Sequence, residues 1–146
     1  MNFNKTTDYA FRILSYMAQD ESRLYNVDEI FEKLQIPYRY LRKLMTNLTR
    51  SGFIVSIQGK NGGYKISKKT EDIKLLEILN AVDPDYLSGK CFFGFHNCAL
   101  QTPCIMHDQW TEIRTNINTI LVRNSLADIK QTNKENLILN NPIHSF

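Results

Sequence analysis

Asn26 to Lys69 reads NVDEIFEKLQIPYRYLRKLMTNLTRSGFIVSIQGKNGGYKISKK, and this stretch decides the fold. Asn26 followed three residues later by Glu29 predicts a helix start for Val27 to Leu34. Gln35-Ile36-Pro37 then breaks the pattern, and Pro37 suits the first position of a further helix. In that helix Tyr38, Leu41, Leu44, Met45 and Leu48 recur as one apolar stripe, so Arg39, Arg42, Lys43, Thr46 and Asn47 must point away from the core. Gly52 supplies its C-terminal cap. Phe53 to Gln58 is rich in β-branched residues, Gly59-Lys60-Asn61-Gly62-Gly63 is a turn, and Tyr64 to Ser67 completes a hairpin. A lone hairpin is barely stable in water, so it must lean on the helices before it.

Two short helices across a tight break, the second basic on its outer face, form a helix-turn-helix; the hairpin makes it the winged form. Outward from this unit, Thr6 and Thr7 are the expected caps of a first helix ending near Asp20. Its apolar positions are Tyr9, Ile13, Leu14 and Met17. Thr70 introduces a fourth helix over Ile73 to Val82, stopped by Asp83-Pro84. From Pro103 a long helix runs to about Arg123. Trp110, Ile113, Ile117, Ile120 and Leu121 are expected on one face, with Glu112, Arg114, Asn116 and Asn118 opposite. Ser125 to Ile129 reads as one capped turn, and residues 131–146, polar and Asn-rich, as a mobile tail. The fold class is thus mainly α with a small β-hairpin wing.

The chain has 146 residues, of which 42% are hydrophobic, enough for a core and against global disorder. No apolar run approaches the roughly 18 residues of a membrane-spanning helix, and the first residues lack the apolar stretch of a signal peptide. The expectation is a cytoplasmic protein with no membrane partner. Charge is divided unevenly. Residues 1–70 hold twelve basic and six acidic side chains, and Arg39 to Lys69 contains eight basic residues without one Asp or Glu. Such a strip suits a polyanion.

Placed on the winged unit, the strip points to double-stranded DNA. Arg39, Arg42 and Lys43 can enter a major groove, where Arg forks onto guanine, while Tyr40, Thr46 and Asn47 add contacts to phosphates or bases. The wing residues Lys60, Asn61 and Gly62 are small enough at their tip to approach the backbone or minor groove, and Lys65 extends the positive surface.

Three cysteines, Cys91, Cys98 and Cys104, lie within fourteen residues, and the chain has no others. An odd number without an export signal argues for a metal or redox site over a disulfide framework. The gaps of six and five residues are longer than the close pairs of structural zinc sites and suit thiolates converging on an iron-sulfur cluster. With the helix starting at Pro103, Cys104 falls in its first turn and His107 on the same face one turn later. A structural zinc site on Cys91, Cys98, Cys104 and His107, or a metal-free partner-binding winged helix, is the alternative. A redox enzyme ranks last, because no Gly-rich cofactor loop, nucleophile constellation or second cluster motif is present.

Thr6-Thr7-Asp8-Tyr9-Ala10, the wing Gly59-Lys60-Asn61-Gly62-Gly63-Tyr64, the three late cysteines and Leu126-Ala127-Asp128-Ile129 together resemble the Rrf-type winged helix-turn-helix regulators, the family of IscR and NsrR. The resemblance covers about residues 1–130. It implies a homodimeric transcription regulator, not an enzyme, that binds a (pseudo)palindromic operator and pairs through its long C-terminal helix. It also implies a cluster whose state, set by redox conditions, oxygen, nitric oxide or iron supply, governs DNA binding. The implied organisation is a DNA-binding domain over 1–83, a cluster loop over 84–104 and a dimerisation helix with a capping turn over 105–130. IscR-like members hold a 2Fe-2S cluster on three cysteines and a histidine, matching Cys91, Cys98, Cys104 and His107. NsrR-like members hold a 4Fe-4S cluster on three cysteines and an aspartate from the partner's first helix, and Asp8 matches that position. The first cysteine gap has six residues where the family pattern has five, which keeps both cluster types open. His107 and a 2Fe-2S cluster are favoured, because the register with Cys104 is local and needs no partner chain.

Overall fold

Asn4, two residues before the expected threonines, caps the first helix: its Oδ1 accepts the Thr7 amide at 2.8 Å, and α1 spans Lys5–Met17. The computed structural model describes residues 4–88, 91–95 and 103–133. Helix α1 ends at Ala18, short of Asp20. Asn26 caps α2 (Val27–Leu34) by accepting the Glu29 amide at 2.7 Å, as its spacing predicts. The turn after α2 runs through Gln35 in the left-handed region. Pro37 stands at the cap of α3 (Tyr38–Arg50), one place before the first helical position. Gly52, at φ +79, closes that helix. Leu41, Leu44, Met45 and Leu48 are buried as the stripe requires, but Tyr38 is 40% exposed and packs edge-on against Phe31. A first-turn aromatic projects past the end of the hydrophobic contact and covers only the rim.

The wing is an antiparallel pair, β1 (Ile54–Ile57) and β2 (Gly63–Ile66), in the register Ile54 with Ile66 and Ile57 with Gly63. Gly62 lies so close to the Ile57 carbonyl that a Cβ there would stand 2.1 Å from its oxygen. The hairpin is not alone: Tyr25 and Tyr64 exchange both backbone hydrogen bonds at 2.8 Å, which ties β2 to the entrance of α2. Ser67 also donates its hydroxyl to the Gly52 carbonyl. Ile54 and Ile66 complete a core with Ile13, Leu14 and Met17 of α1, Ile30 of α2, and the α3 stripe. Each such fully buried side chain contributes about 1.5–3 kcal/mol relative to exposure.

Thr70–Asp72 forms a separate 3-10 turn, and α4 (Leu75–Val82) starts two residues later than expected, because Ile73 is buried in extended chain. Helix α5 is His107–Arg123, beginning four residues after Pro103. The residues after it return to the DNA-binding unit: the Leu75 amide donates to the Asn124 carbonyl at 3.1 Å and the Leu126 amide to the Ile73 carbonyl at 2.8 Å. The expected single turn after α5 is a full helix, α6 (Leu126–Asn133), lying against α1 and the 3-10 turn. Leu126 is buried there, and Glu21 accepts the Thr70 hydroxyl at 2.7 Å beside Lys130 Nζ at 3.8 Å. The remainder of the expected tail lies outside the described residues.

The stripe expected on α5 divides in two. Trp110, Arg114 and Ile117 are half-buried and Leu121 is buried at 8% exposure, whereas Ile113 and Ile120 are exposed, Ile120 at 57%. Arg114 therefore lies on the inner face instead of the polar one. Positions 110, 114, 117 and 121 recur at heptad-like spacing toward the protomer, and 113 and 120 recur one step round the helix.

Candidate nucleic-acid interface and metal centre

Arg39, Arg42, Lys43 and Thr46 are exposed on α3, while Tyr40 and Asn47 are half-buried along the edge nearest α1. The Thr46 hydroxyl donates to the Arg42 carbonyl at 3.0 Å, so its proton is engaged within the helix and its oxygen remains an acceptor. Tyr40 is held in place: its hydroxyl shares a hydrogen bond with Thr6, and its ring meets Tyr9 edge-on at 5.4 Å. On the wing, Lys60 and Asn61 are exposed, and Gly62 and Lys65 half-buried. The exposed surfaces of α3 and the wing thus carry the basic strip, with its cations displayed from two separate elements.

The base of this unit is fixed by polar contacts. Tyr16 donates its hydroxyl to Glu29 Oε1 at 2.9 Å, and Arg23 approaches the same oxygen at 2.6 Å while its guanidinium lies over the Tyr25 ring. Burial, reinforced by the Glu29 carboxylate, pushes the Tyr16 hydroxyl above its ordinary pKa. The phenol stays protonated, as a donor must. These contacts fasten α2 to α1, and hence set the pose of α3.

Cys91 is half-buried in a turn closed by the Gly94 amide on the Cys91 carbonyl at 2.9 Å; Cys104 is exposed. Both carry thiols. Cys98 lies outside the described residues, as does His96. Cys104 is not in the first turn of α5. It precedes the helix, and its carbonyl accepts the amide of His107, the first helical residue, at 3.0 Å. Cys104 and His107 are therefore joined by a turn leading into the helix and do not share a helical face. Among the described residues no three His, Cys, Asp or Glu side chains stand together as a metal site. The other fourth-ligand candidate, Asp8, is paired with Arg12 one turn along α1.

Sequence reasoning passed over three features of this region. Phe92, Phe93 and Phe95 are exposed beside Cys91, and Phe92 meets Trp110 at 5.5 Å, forming an aromatic surface next to the thiols. The run Cys91-Phe92-Phe93-Gly94-Phe95 was the available signal. Arg114, half-buried two turns after His107, was hidden by its polar neighbours. Thr6 was legible only as a possible cap, and nothing local signalled its bond to Tyr40.

The helix order, the wing and the displayed basic strip define a winged helix-turn-helix. Residues 3–132 match the family model Rrf2, iron-dependent transcriptional regulator, and the chain belongs to this family of DNA-binding transcriptional regulators. It is therefore a regulator and not an enzyme. It is 30% identical over 141 residues to the HTH-type transcriptional regulator NsrR of Oceanobacillus iheyensis, covering 95% of this chain and 96% of that one. The fold is similar to that of CymR, the global cysteine regulator of B. subtilis, with a TM-score of 0.75 at 18% identity over 90% of this chain and 98% of that one. It is equally similar to T. potens IscR, with a TM-score of 0.75 at 19% identity over 94% and 91%. No helix among the described residues is long and apolar enough to cross a membrane.

Proposed function

We propose that this regulator holds an iron-sulfur cluster, 2Fe-2S in preference to 4Fe-4S, on Cys91, Cys98, Cys104 and His107, and that its affinity for a (pseudo)palindromic operator follows the state of that cluster. The observation that carries the reading is the position of the thiols: Cys91 and Cys104 both lie in the connection between α4 and α5, Cys104 shortly before the helix, and His107 opens α5. The donor set fits the group. The thiols lie outside the apolar core, and the exposed rings of Phe92, Phe93 and Phe95 offer the apolar surroundings that limit solvent access to a redox centre. The description of the family as iron-dependent and the names of the similar regulators, NsrR among them, support the same reading.

When bound, the cluster supplies a site that exchanges electrons or is lost and rebuilt. The chain does the rest. Thiolates drawn together fix the path of the connection, and that path sets where α5 leaves α4. The exposed stripe of Ile113 and Ile120 pairs with a second copy of the chain, so the pose of α5 sets the separation of two copies of α3. Symmetric half-sites demand one separation. A tenfold change in occupancy needs a difference of only about 1.4 kcal/mol between the two states.

The test is anaerobic purification, iron and sulfide analysis, and absorption and spin-resonance spectra of wild type, His107→Ala and Asp8→Ala. It is followed by DNA affinity with and without the cluster, and for Cys98→Ala. Stoichiometric iron and sulfide, with an operator affinity that changes on cluster loss, is the expected result. A colourless protein with stoichiometric zinc, or Cys98→Ala protein with unaltered affinity, overturns it.

A further inference from the structure

Between the first turn of α1 and one edge of α3 lies a notch of about 120 Å³, lined by Thr6, Tyr40, Lys43, Leu44 and Asn47. Its volume is well below the roughly 300 Å³ at which small-molecule sites begin. A group the size of a phosphate fits it; an effector molecule does not.

The lining is rich in donors. Lys43 brings an ammonium and Asn47 a carboxamide, Leu44 is buried, and none of the five residues is acidic. The hydroxyls of Thr6 and Tyr40 are bonded to each other. Two hydroxyls have two protons, and their mutual bond uses one, which leaves one proton for a ligand placed in the notch. The Thr7 amide is already taken by Asn4.

Its position singles out the anion. Tyr40, Lys43 and Asn47 recur at helical spacing one step round α3 from Arg39, Arg42 and Thr46, so the notch borders the outward face without lying on it. A helix seated in a major groove has a phosphate backbone along each edge, and contacts to that backbone set register without reading sequence. We infer that the notch seats one backbone phosphate of each DNA half-site, with Lys43 as its counter-charge and the Thr6–Tyr40 pair as hydroxyl donor. Lys43, Asn47 and Tyr40 then position the protein, and the reading of bases falls to Arg39, Arg42 and Thr46. This rests on the reading of α3 as the groove-entering helix.

The experiment uses the full chain, prepared anaerobically, and two labelled 30-base-pair duplexes: one recovered by selection from a random library, one of random sequence. Lys43→Gln and Thr6→Val are titrated on both across a range of KCl concentrations. Lys43→Gln is expected to bind both duplexes about tenfold more weakly. Its plot of log affinity against log salt should be less steep by about 1.8, because a dimer loses one phosphate contact at each of two half-sites. Thr6→Val weakens both duplexes with the slope unchanged. Replacing one flanking phosphate per half-site by an uncharged methylphosphonate removes the difference between Lys43→Gln and wild type.

A Lys43→Gln variant that keeps the wild-type slope but no longer prefers the selected duplex makes Lys43 a base reader and overturns the inference. Lys43-dependent binding of inorganic phosphate with an unaltered DNA slope assigns the notch to a free anion and overturns it equally. In both cases wild type still binds DNA. A wild type that binds neither duplex refutes the DNA reading of α3 itself.

Discussion

Arg12 Nε lies 3.0 and 3.1 Å from the two carboxylate oxygens of Asp8, one helical turn away on α1. Asp8 is one of two candidates for the fourth cluster ligand, and it already has a cation within its own helix. His107 has its backbone linked to Cys104. The expected outcome is that Asp8→Asn leaves the visible spectrum of anaerobically purified protein unchanged and His107→Ala alters it. Loss of the spectrum on the Asp8 substitution alone reverses the assignment.

Two adjacent residues of α5 should behave oppositely. Ile120 is exposed on the outward stripe and Leu121 is buried against the protomer. Ile120→Arg should shift the protein from dimer to monomer in sedimentation with little change in monomer unfolding. Leu121→Ala should lower stability by about 2–5 kcal/mol in denaturant titration, the usual cost of a truncated core leucine.

Gly62→Ala tests the wing. A methyl group cannot occupy a place 2.1 Å from the Ile57 carbonyl oxygen, so the hairpin tip must deform, at a typical cost of about 1–3 kcal/mol. DNA affinity should fall while helix content, measured by circular dichroism, is retained.

The start of α6 should be sensitive to acid. Asp128 Oδ2 accepts the Ser125 amide at 2.6 Å and its hydroxyl at 2.9 Å, and these bonds hold the carboxyl below its ordinary pKa. A depressed folded pKa gives stabilisation that is complete above the unfolded value of about 3.9 and lost as pH falls through the folded value. Asp128→Asn should therefore speed amide exchange in α6 at pH 7, with the difference from wild type shrinking as pH falls below the unfolded value and through the folded one.

What the sequence made legible was local. Asn26 and Gly52 set helix ends because a cap is a contact between near neighbours, and the glycines of the wing tip mark a hairpin for the same reason. The cap of α1 was misplaced because Asn4, Thr6 and Thr7 all qualify chemically, and the choice is made by Thr6 reaching Tyr40, thirty-four residues away. Ile113, Ile117 and Ile120 read as one face of α5 because periodicity gives spacing without direction; packing against α4 separates the inner from the outer side chains. Pro103 resembled a helix start, yet Cys104 to Met106 form a turn before the helix. Which side chains line the notch depends on how α1 crosses α3, and no local pattern carries that.

The main-chain bonds joining residues 73–75 to 124–126 anchor one end of α5 through backbone atoms, so they do not depend on which side chains stand there. Under the proposed coupling of cluster to DNA they are the fulcrum. The seventeen residues of α5 form an arm about 25 Å long at 1.5 Å per residue, with the cysteine-bearing end farthest from the pivot. A displacement of about 2 Å at that far end is a rotation of roughly 5° at the anchor. In the proposed mechanism the pivot therefore sits beside the 3-10 turn that follows the wing, at the opposite end of α5 from Cys104 and His107.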